Sequence, residues 1–162
     1  HLSEMDISFF DSNCHLIPPL RGISDRDALR AGLVDGTIDA VCSDHAPVDE
    51  DAKLVPFGES EAGATCVELL LSLVLKWAKE INIPLAVAVA KVTSEPAKIL
   101  GVEAGNLSVG SAADLCIFDP DQHWRVEASM LRSQGKNTPF LGMELQGKVK
   151  YTLANGIIVY ED

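Results

Sequence analysis

The apolar positions between Ser24 and Gly36 recur on one face of a helix. Ser24 and Asp27 have capping-box spacing at its start, and Gly36 follows its last apolar position. The next segment, residues 37–42, is short, β-prone and apolar on both faces, as a buried parallel strand is. A helix, a tight turn and a buried strand in this order predict an α/β arrangement.

Three later segments also have helical spacing. Residues 64–79 have the pattern of a well-buried helix, and Pro84 can open a second helix that runs to Lys91. Residues 94–101 carry a capping serine, a proline in the first turn and a final glycine, which predicts a short third helix. Residues 49–63, which are acidic and contain proline and glycine, are predicted to form a loop over the end of the strand.

At about residue 102 the pattern changes from helical to β. Short apolar runs are separated by glycines, and the last two runs flank Asn155-Gly156, a strong hairpin signal. We therefore predict an α/β part over residues 1–101 and a small β part over residues 102–162.

Composition narrows the class of partner. The 162 residues are 47% hydrophobic, and 13 Lys and Arg against 24 Asp and Glu side chains give a net charge of −11. Without a basic cluster the chain is not expected to bind nucleic acid, since phosphate binding needs cationic side chains. The longest apolar stretch, residues 69–75, is too short to span a bilayer, so we expect no membrane contact and a cytoplasmic protein. The chain opens with His1, from which we expect that it was cut from something longer.

The most informative motif is Ser43-Asp44-His45-Ala46-Pro47, directly after the predicted strand. Barrel enzymes keep their catalytic groups at the carboxyl ends of strands, and a carboxylate there can ligate a metal. The alternative is that Asp44 only caps a following turn. The four cysteines are scattered singly, which predicts reduced thiols and neither a zinc knuckle nor a disulfide scaffold.

Several motifs in the same order resemble the carboxyl-terminal half of dihydroorotases, members of the amidohydrolase superfamily. The resemblance covers nearly the whole chain, and its five segments are Pro18-Pro19-Leu20-Arg21 with Asp35–Ala40, then Ser43–Pro47, Ser94–Gly101, Gly110–Pro120 and Lys136–Gly142.

This resemblance implies an α/β fold: the last segments of a metal-dependent-hydrolase TIM-like (β/α)8 barrel, plus part of a small β-sandwich domain. It also implies a zinc-dependent hydrolase of pyrimidine biosynthesis that interconverts carbamoyl-aspartate and dihydroorotate. Asp44 matches the family's metal-ligating aspartate, which is also the catalytic base, and Gly63 matches a glycine whose backbone lies over the substrate. The family's other metal ligands lie on earlier strands, so this chain alone is expected to bind no zinc and to be inactive. By the same resemblance, His45 has an orienting or packing role and Arg21 a structural one.

Two positions depart from the family pattern. Ile17 stands where active relatives usually carry an asparagine, and Val48 where they carry a histidine, and both of those side chains contact substrate. The pattern Asp-His-Ala-Pro-Val with an acidic continuation resembles the dihydroorotase-like polypeptides that support the assembly of aspartate carbamoyltransferase without catalytic activity.

The first hypothesis is therefore a catalytically impaired homologue that partners aspartate carbamoyltransferase. The alternatives are an active dihydroorotase in which other groups compensate, or another cyclic amidohydrolase such as an allantoinase or hydantoinase. Removed from the rest of a barrel, the chain would expose strand edges and apolar faces, so we expect it to form homo-oligomers or to self-associate.

Overall fold

The computed structural model describes residues 1–162. It contains four helices and three strands, joined by loops that carry short 3-10 turns. The elements are α1 (Ile23–Asp35), α2 (Leu70–Glu80), α3 (Leu85–Ala90), α4 (Ser94–Leu100), β1 (Leu115–Arg125), β2 (Glu144–Ala154) and β3 (Ile157–Glu161). None of the helices is long and apolar enough to cross a membrane.

The predicted helices form, with corrections at their starts. In α1 the N-cap is Gly22 and not Ser24, and no side chain caps the helix; Gly36 ends it in the left-handed conformation at φ 85°. The helix predicted to begin at residue 64 begins as a 3-10 turn at Val67 and continues as α2. The backbone of residues 64 and 65 is bonded elsewhere, because Ala46 N–H donates to Ala64 O at 2.8 Å and Thr65 N–H donates to Asn137 O at 2.6 Å.

The strand predicted over residues 37–42 is wrong, because the segment forms no strand. A strand needs a ladder of hydrogen bonds to a neighbour. The one backbone bond between this segment and another element is the bond from Val41 N–H to Lys91 O, at 3.0 Å. Apolar composition alone therefore does not make these residues a strand.

The β-rich end of the chain forms one sheet in the order β1-β2-β3. Strands β2 and β3 are antiparallel, and Ala154 pairs with Ile157 across the predicted Asn155-Gly156 turn. Both turn residues have positive φ, 49° and 79°, as a tight hairpin turn requires. The hairpin prediction is confirmed.

Two compact units make up the chain, and each draws on residues from both sides of position 102. The first comprises His1–Ile38, Ser43–Leu70 and Arg125–Met143, and the second comprises Asp39–Cys42, Leu71–Trp124 and Glu144–Asp162. The boundary predicted near residue 102 stays a prediction.

Each unit has its own core. Buried side chains of the first unit include Val48, Ala64, Thr65, Leu69, Val126, Leu131, Thr138 and Phe140. In the second unit α2 packs on β2 at a glycine: Ser72 Oγ donates to Gly147 O at 2.7 Å, and Trp124 Nε1 donates to the same carbonyl at 3.2 Å. The first unit contains every residue of the candidate site described next.

Candidate functional site

Asp44 lies in a sharp turn with an exposed carboxylate. Its φ is 44°, a left-handed value that is uncommon for a residue with a side chain. Backbone conformations of this kind are concentrated at functional sites, where the surrounding structure must hold them. Two residues on, the Ala46 N–H donates to Ala64 O at 2.8 Å, which fixes one side of the turn.

His45 fastens the same turn to the start of the α2 region. Its Nδ1 accepts hydrogen bonds from the backbone N–H groups of Cys66, at 3.2 Å, and Val67, at 3.3 Å. An Nδ1 that accepts carries no proton, so the neutral ring has its proton on Nε2. The imidazole thus satisfies two backbone donors at the beginning of a helix, the positioning role that the resemblance implied.

Gly63 packs directly against the turn that carries Asp44. Its φ is 144°, and a Cβ at this position would lie 2.6 Å from Ala46 O. Its N–H donates to His15 O at 3.0 Å. Only glycine fits here, because any side chain would meet backbone. The substrate contact implied for Gly63 stays a prediction.

Asn137 joins the segments of the site, and the sequence analysis did not single it out. Its Oδ1 accepts from Val48 N–H at 3.0 Å and from Thr65 Oγ1 at 3.2 Å. Its Nδ2 donates to Gly63 O at 3.1 Å and more weakly to Ala46 O at 3.4 Å. All four hydrogen-bonding positions of a buried carboxamide are therefore used. The available signal was a polar Asn-Thr pair within the apolar stretch that ends in Pro139-Phe140-Leu141.

The thiol of Cys66 lies within electrostatic range of Asp44. Burial raises the pKa of Cys66, the nearby Asp44 carboxylate raises it further, and a hydrogen bond with Thr138 acts in the opposite direction. Thr138 is fully buried, so this side of the site is closed to water. A protonated thiol here adds no negative charge beside Asp44.

The two positions that depart from the family pattern bring no polar atom to the site. Ile17 follows the His15–Gly63 contact and is 76% exposed, whereas Val48 is 8% exposed and its N–H is bonded to Asn137. Arg21 is exposed and lies 3.4 Å from Asp25 in a surface ion pair, an arrangement that contributes little energy. Its backbone O accepts from Glu4 N–H at 2.8 Å, in line with a structural role.

The residues of this chain do not by themselves fit a zinc ion. No group of three or more His, Cys, Asp or Glu side chains is placed to hold a metal. Zinc needs three or four protein ligands, and of the groups at this site only the Asp44 carboxylate is exposed and free of hydrogen-bond duties to neighbours. His15 and His123 are engaged elsewhere, with Ser60 and with Glu144 and Gln146.

Comparison with known proteins agrees with this geometry. The model of the amidohydrolase family matches residues 11–159. A protein named dihydroorotase from Citrifermentans bemidjiense is 42% identical over 160 residues, which is 99% of this chain and 38% of that protein. A dihydroorotase-like protein from Pseudomonas putida is 43% identical over 159 residues, which is 98% of this chain and 37% of that protein.

Solved structures give the same family at lower identity. The L-hydantoinase (dihydropyrimidinase) of Arthrobacter aurescens is 28% identical, with a TM-score of 0.86 over 99% of this chain and 37% of that one. A D-hydantoinase structure is 26% identical, with a TM-score of 0.88 over 100% of this chain and 37% of that one. These similarities indicate part of a TIM-barrel-type metal hydrolase with mixed helical and strand content.

The chain spans 38% of the length of the dihydroorotase that it matches. The family match, by contrast, covers nearly all of its own residues, from 11 to 159, and includes the turn around Asp44 and the segment around Asn137. The chain belongs to the amidohydrolase family.

Proposed function

We propose that the chain is part of a dihydroorotase-like protein of pyrimidine biosynthesis that is catalytically impaired and supports the assembly of aspartate carbamoyltransferase. We call the longer polypeptide in which it would lie the parent polypeptide. In it, residues 1–101 would form the last barrel segments and residues 102–162 part of a small β-sandwich domain. Zinc ligands other than Asp44 would have to come from outside residues 1–162.

The observation that carries the proposed impairment is the pair of apolar side chains at positions 17 and 48. Dihydroorotate and carbamoyl-aspartate carry carboxylates and amides, which need hydrogen-bond donors when they are bound away from water. Ile17 and Val48 offer none, and Val48 is buried against Asn137. Each lost contact would weaken binding by about 1–3 kcal/mol.

The retained turn favours a second candidate, an active dihydroorotase. The left-handed Asp44 turn is held by His45, by Gly63 and by Asn137, although nothing in local sequence preference requires it. An exposed carboxylate in that position can accept a proton from an attacking water and pass it to the leaving ring nitrogen. The likeness to hydantoinase structures keeps a third candidate, hydrolysis of another cyclic amide.

Restoring the two polar side chains tests the proposed impairment. In the parent polypeptide, Ile17→Asn combined with Val48→His should raise turnover of dihydroorotate above the wild-type level. Because Val48 is buried, Ile17→Asn is also measured alone, and thermal unfolding shows whether each variant folds. Val34→His, an exposed change on α1, is the matched control and should leave turnover unchanged. Wild-type turnover equal to that of the restored variant would contradict the proposal.

The assembly role is tested by sedimentation of aspartate carbamoyltransferase from the same organism. We expect the transferase to form its full oligomer with the parent polypeptide and a smaller species without it. An oligomer that forms equally well in both cases would remove the assembly role and leave the family assignment intact.

A further inference from the structure

Resting on the proposed assembly role, we infer that residues 4–11 and 49–61 form a docking surface for a protein that presents basic side chains around an apolar groove. We call these two segments the acidic–aromatic surface. They lie in the same compact unit as Asp44. No part of the surface belongs to the site described above.

The two segments are held together as one piece. Lys53 is 8% exposed, and its ammonium donates to Ser12 O at 3.0 Å and to Glu61 O at 2.5 Å. In return, Ser12 Oγ donates to Lys53 O at 2.5 Å. The rings of Phe10 and Phe57 meet edge to face with their centroids 6.1 Å apart. A partner would therefore meet a prebuilt surface and would not have to order two loops.

Large apolar side chains project from this surface into solvent. Phe9 is 90% exposed, Leu54 78% and Phe10 72%. Phe10 itself has a positive φ of 52°, a strained value at the end of its 3-10 turn. Aromatic side chains held outward in this way are typical of the energetic centre of protein interfaces.

The rim of the surface is acidic and has no exposed positive charge. The only basic side chain in the two segments is Lys53, whose ammonium is taken up by backbone carbonyls. The acidic side chains are all exposed: Glu4, Asp6, Asp11, Asp49, Glu50, Asp51, Glu59 and Glu61. A partner must therefore be cationic at its rim, which rules out nucleic acid and favours a basic protein surface.

This combination also argues against the two bland alternatives. A surface that only faces water gains nothing from two exposed phenylalanines, and a surface buried inside its own polypeptide would not carry so many carboxylates. An apolar centre with a charged rim is the anatomy of a protein–protein interface.

The test measures the affinity between the parent polypeptide and purified aspartate carbamoyltransferase from the same organism. Phe9→Ser combined with Leu54→Ser removes the apolar centre, and Asp49→Lys combined with Asp51→Lys reverses part of the rim. Leu107→Ser combined with Glu103→Lys makes the same kinds of change at exposed positions of the other compact unit and is the matched control. Far-UV circular dichroism checks the fold of each variant.

We expect each of the two surface variants to bind at least tenfold more weakly and the control to bind like wild type. Added salt should weaken wild-type binding and have less effect on the charge-reversed variant. Wild-type affinity in both surface variants would overturn this docking surface while leaving the proposed assembly role in place. Absence of binding by the wild type would overturn both. Surface variants that dissociate an oligomer of the parent polypeptide but still bind the transferase would assign the surface to self-association and overturn the inference.

Discussion

At the scale of single residues, the candidate site depends on one buried carboxamide. Asn137 connects the chain beside Asp44 to the chain at Gly63 through hydrogen bonds to Val48, Thr65, Ala46 and Gly63. Asp44 and Gly63 could be predicted from motifs because the residues beside them carry the signal. Asn137 and Cys66 could not be assigned to the site, because their partners are distant in sequence and meet them only in the folded chain.

Truncating Asn137 should therefore destabilise the protein well beyond an ordinary surface change. Asn137→Ala leaves the Val48 N–H and the Gly63 and Ala46 carbonyls without this partner, and we expect a loss of about 3 kcal/mol in the free energy of unfolding. Urea unfolding of the parent polypeptide measures it. Asn106→Ala removes an exposed amide that accepts from Ser108 and Ser111, and this control should cost less than about 1 kcal/mol. Equal losses would contradict the role of Asn137.

The Cys66 thiol predicts a loss of stability at alkaline pH. Its pKa in the folded chain is raised above the usual 9.0, so the unfolded chain loses this proton first. The stabilising contribution is therefore complete below pH 9 and disappears as the pH rises through the folded value. Cys66→Ser should reduce the fall in unfolding free energy above pH 9, whereas the exposed Cys42→Ser should not.

Proximity to Asp44 gives the same thiol a second readout. Because the Asp44 carboxylate helps to raise the pKa of Cys66, Asp44→Asn should lower that pKa. Alkylation of Cys66 at a fixed, mildly alkaline pH should then become faster. An unchanged rate would mean that the two groups do not interact.

At the scale of elements, local sequence signals gave the ends of helices and the hairpin but not the strand. Gly36 and Gly101 both end helices in the left-handed conformation, and Asn155-Gly156 turns the hairpin, because these positions are decided by the local backbone. The segment 37–42 has the composition of a strand, yet the structure provides no ladder beside it. The start of α2 was also misplaced, since tertiary bonds occupy the backbone of residues 64 and 65.

Packing of α2 on β2 should be sensitive to Gly147. This glycine has a φ of 90°, and a Cβ there would collide with Leu75 Cδ1. Gly110 has a similar φ of 94° but open space around it, so Gly110→Ala reports the backbone cost alone, about 1 kcal/mol. We expect Gly147→Ala to lower the free energy of unfolding by at least about 1 kcal/mol more than Gly110→Ala. Equal effects would show that α2 and β2 do not meet closely there.

At the scale of the whole molecule, a large apolar surface remains uncovered. Exposed residues include Ile157, Ile158 and Val159 on the edge strand β3, besides the side chains of the acidic–aromatic surface. Exposed apolar edges of this kind favour association between chains. The net charge of −11 opposes association but is spread over the whole chain.

The 162-residue chain, prepared alone, should therefore self-associate. Sedimentation velocity over a range of concentrations should show species larger than a monomer, with a share that grows with concentration. Ile157→Lys combined with Val159→Lys should shift the distribution toward monomer, whereas Leu107→Lys, an exposed change away from the sheet, should shift it less. A monomer at every concentration would contradict this expectation.

The central claim is that the parent polypeptide keeps the Asp44 turn but has lost dihydroorotase activity. The most direct measurement is hydrolysis of dihydroorotate by the purified parent polypeptide with zinc present, compared with its Asp44→Ala variant. We predict a folded protein whose turnover does not exceed background and does not change with Asp44→Ala. Turnover well above background that disappears in Asp44→Ala would contradict the account and make the parent polypeptide a working dihydroorotase.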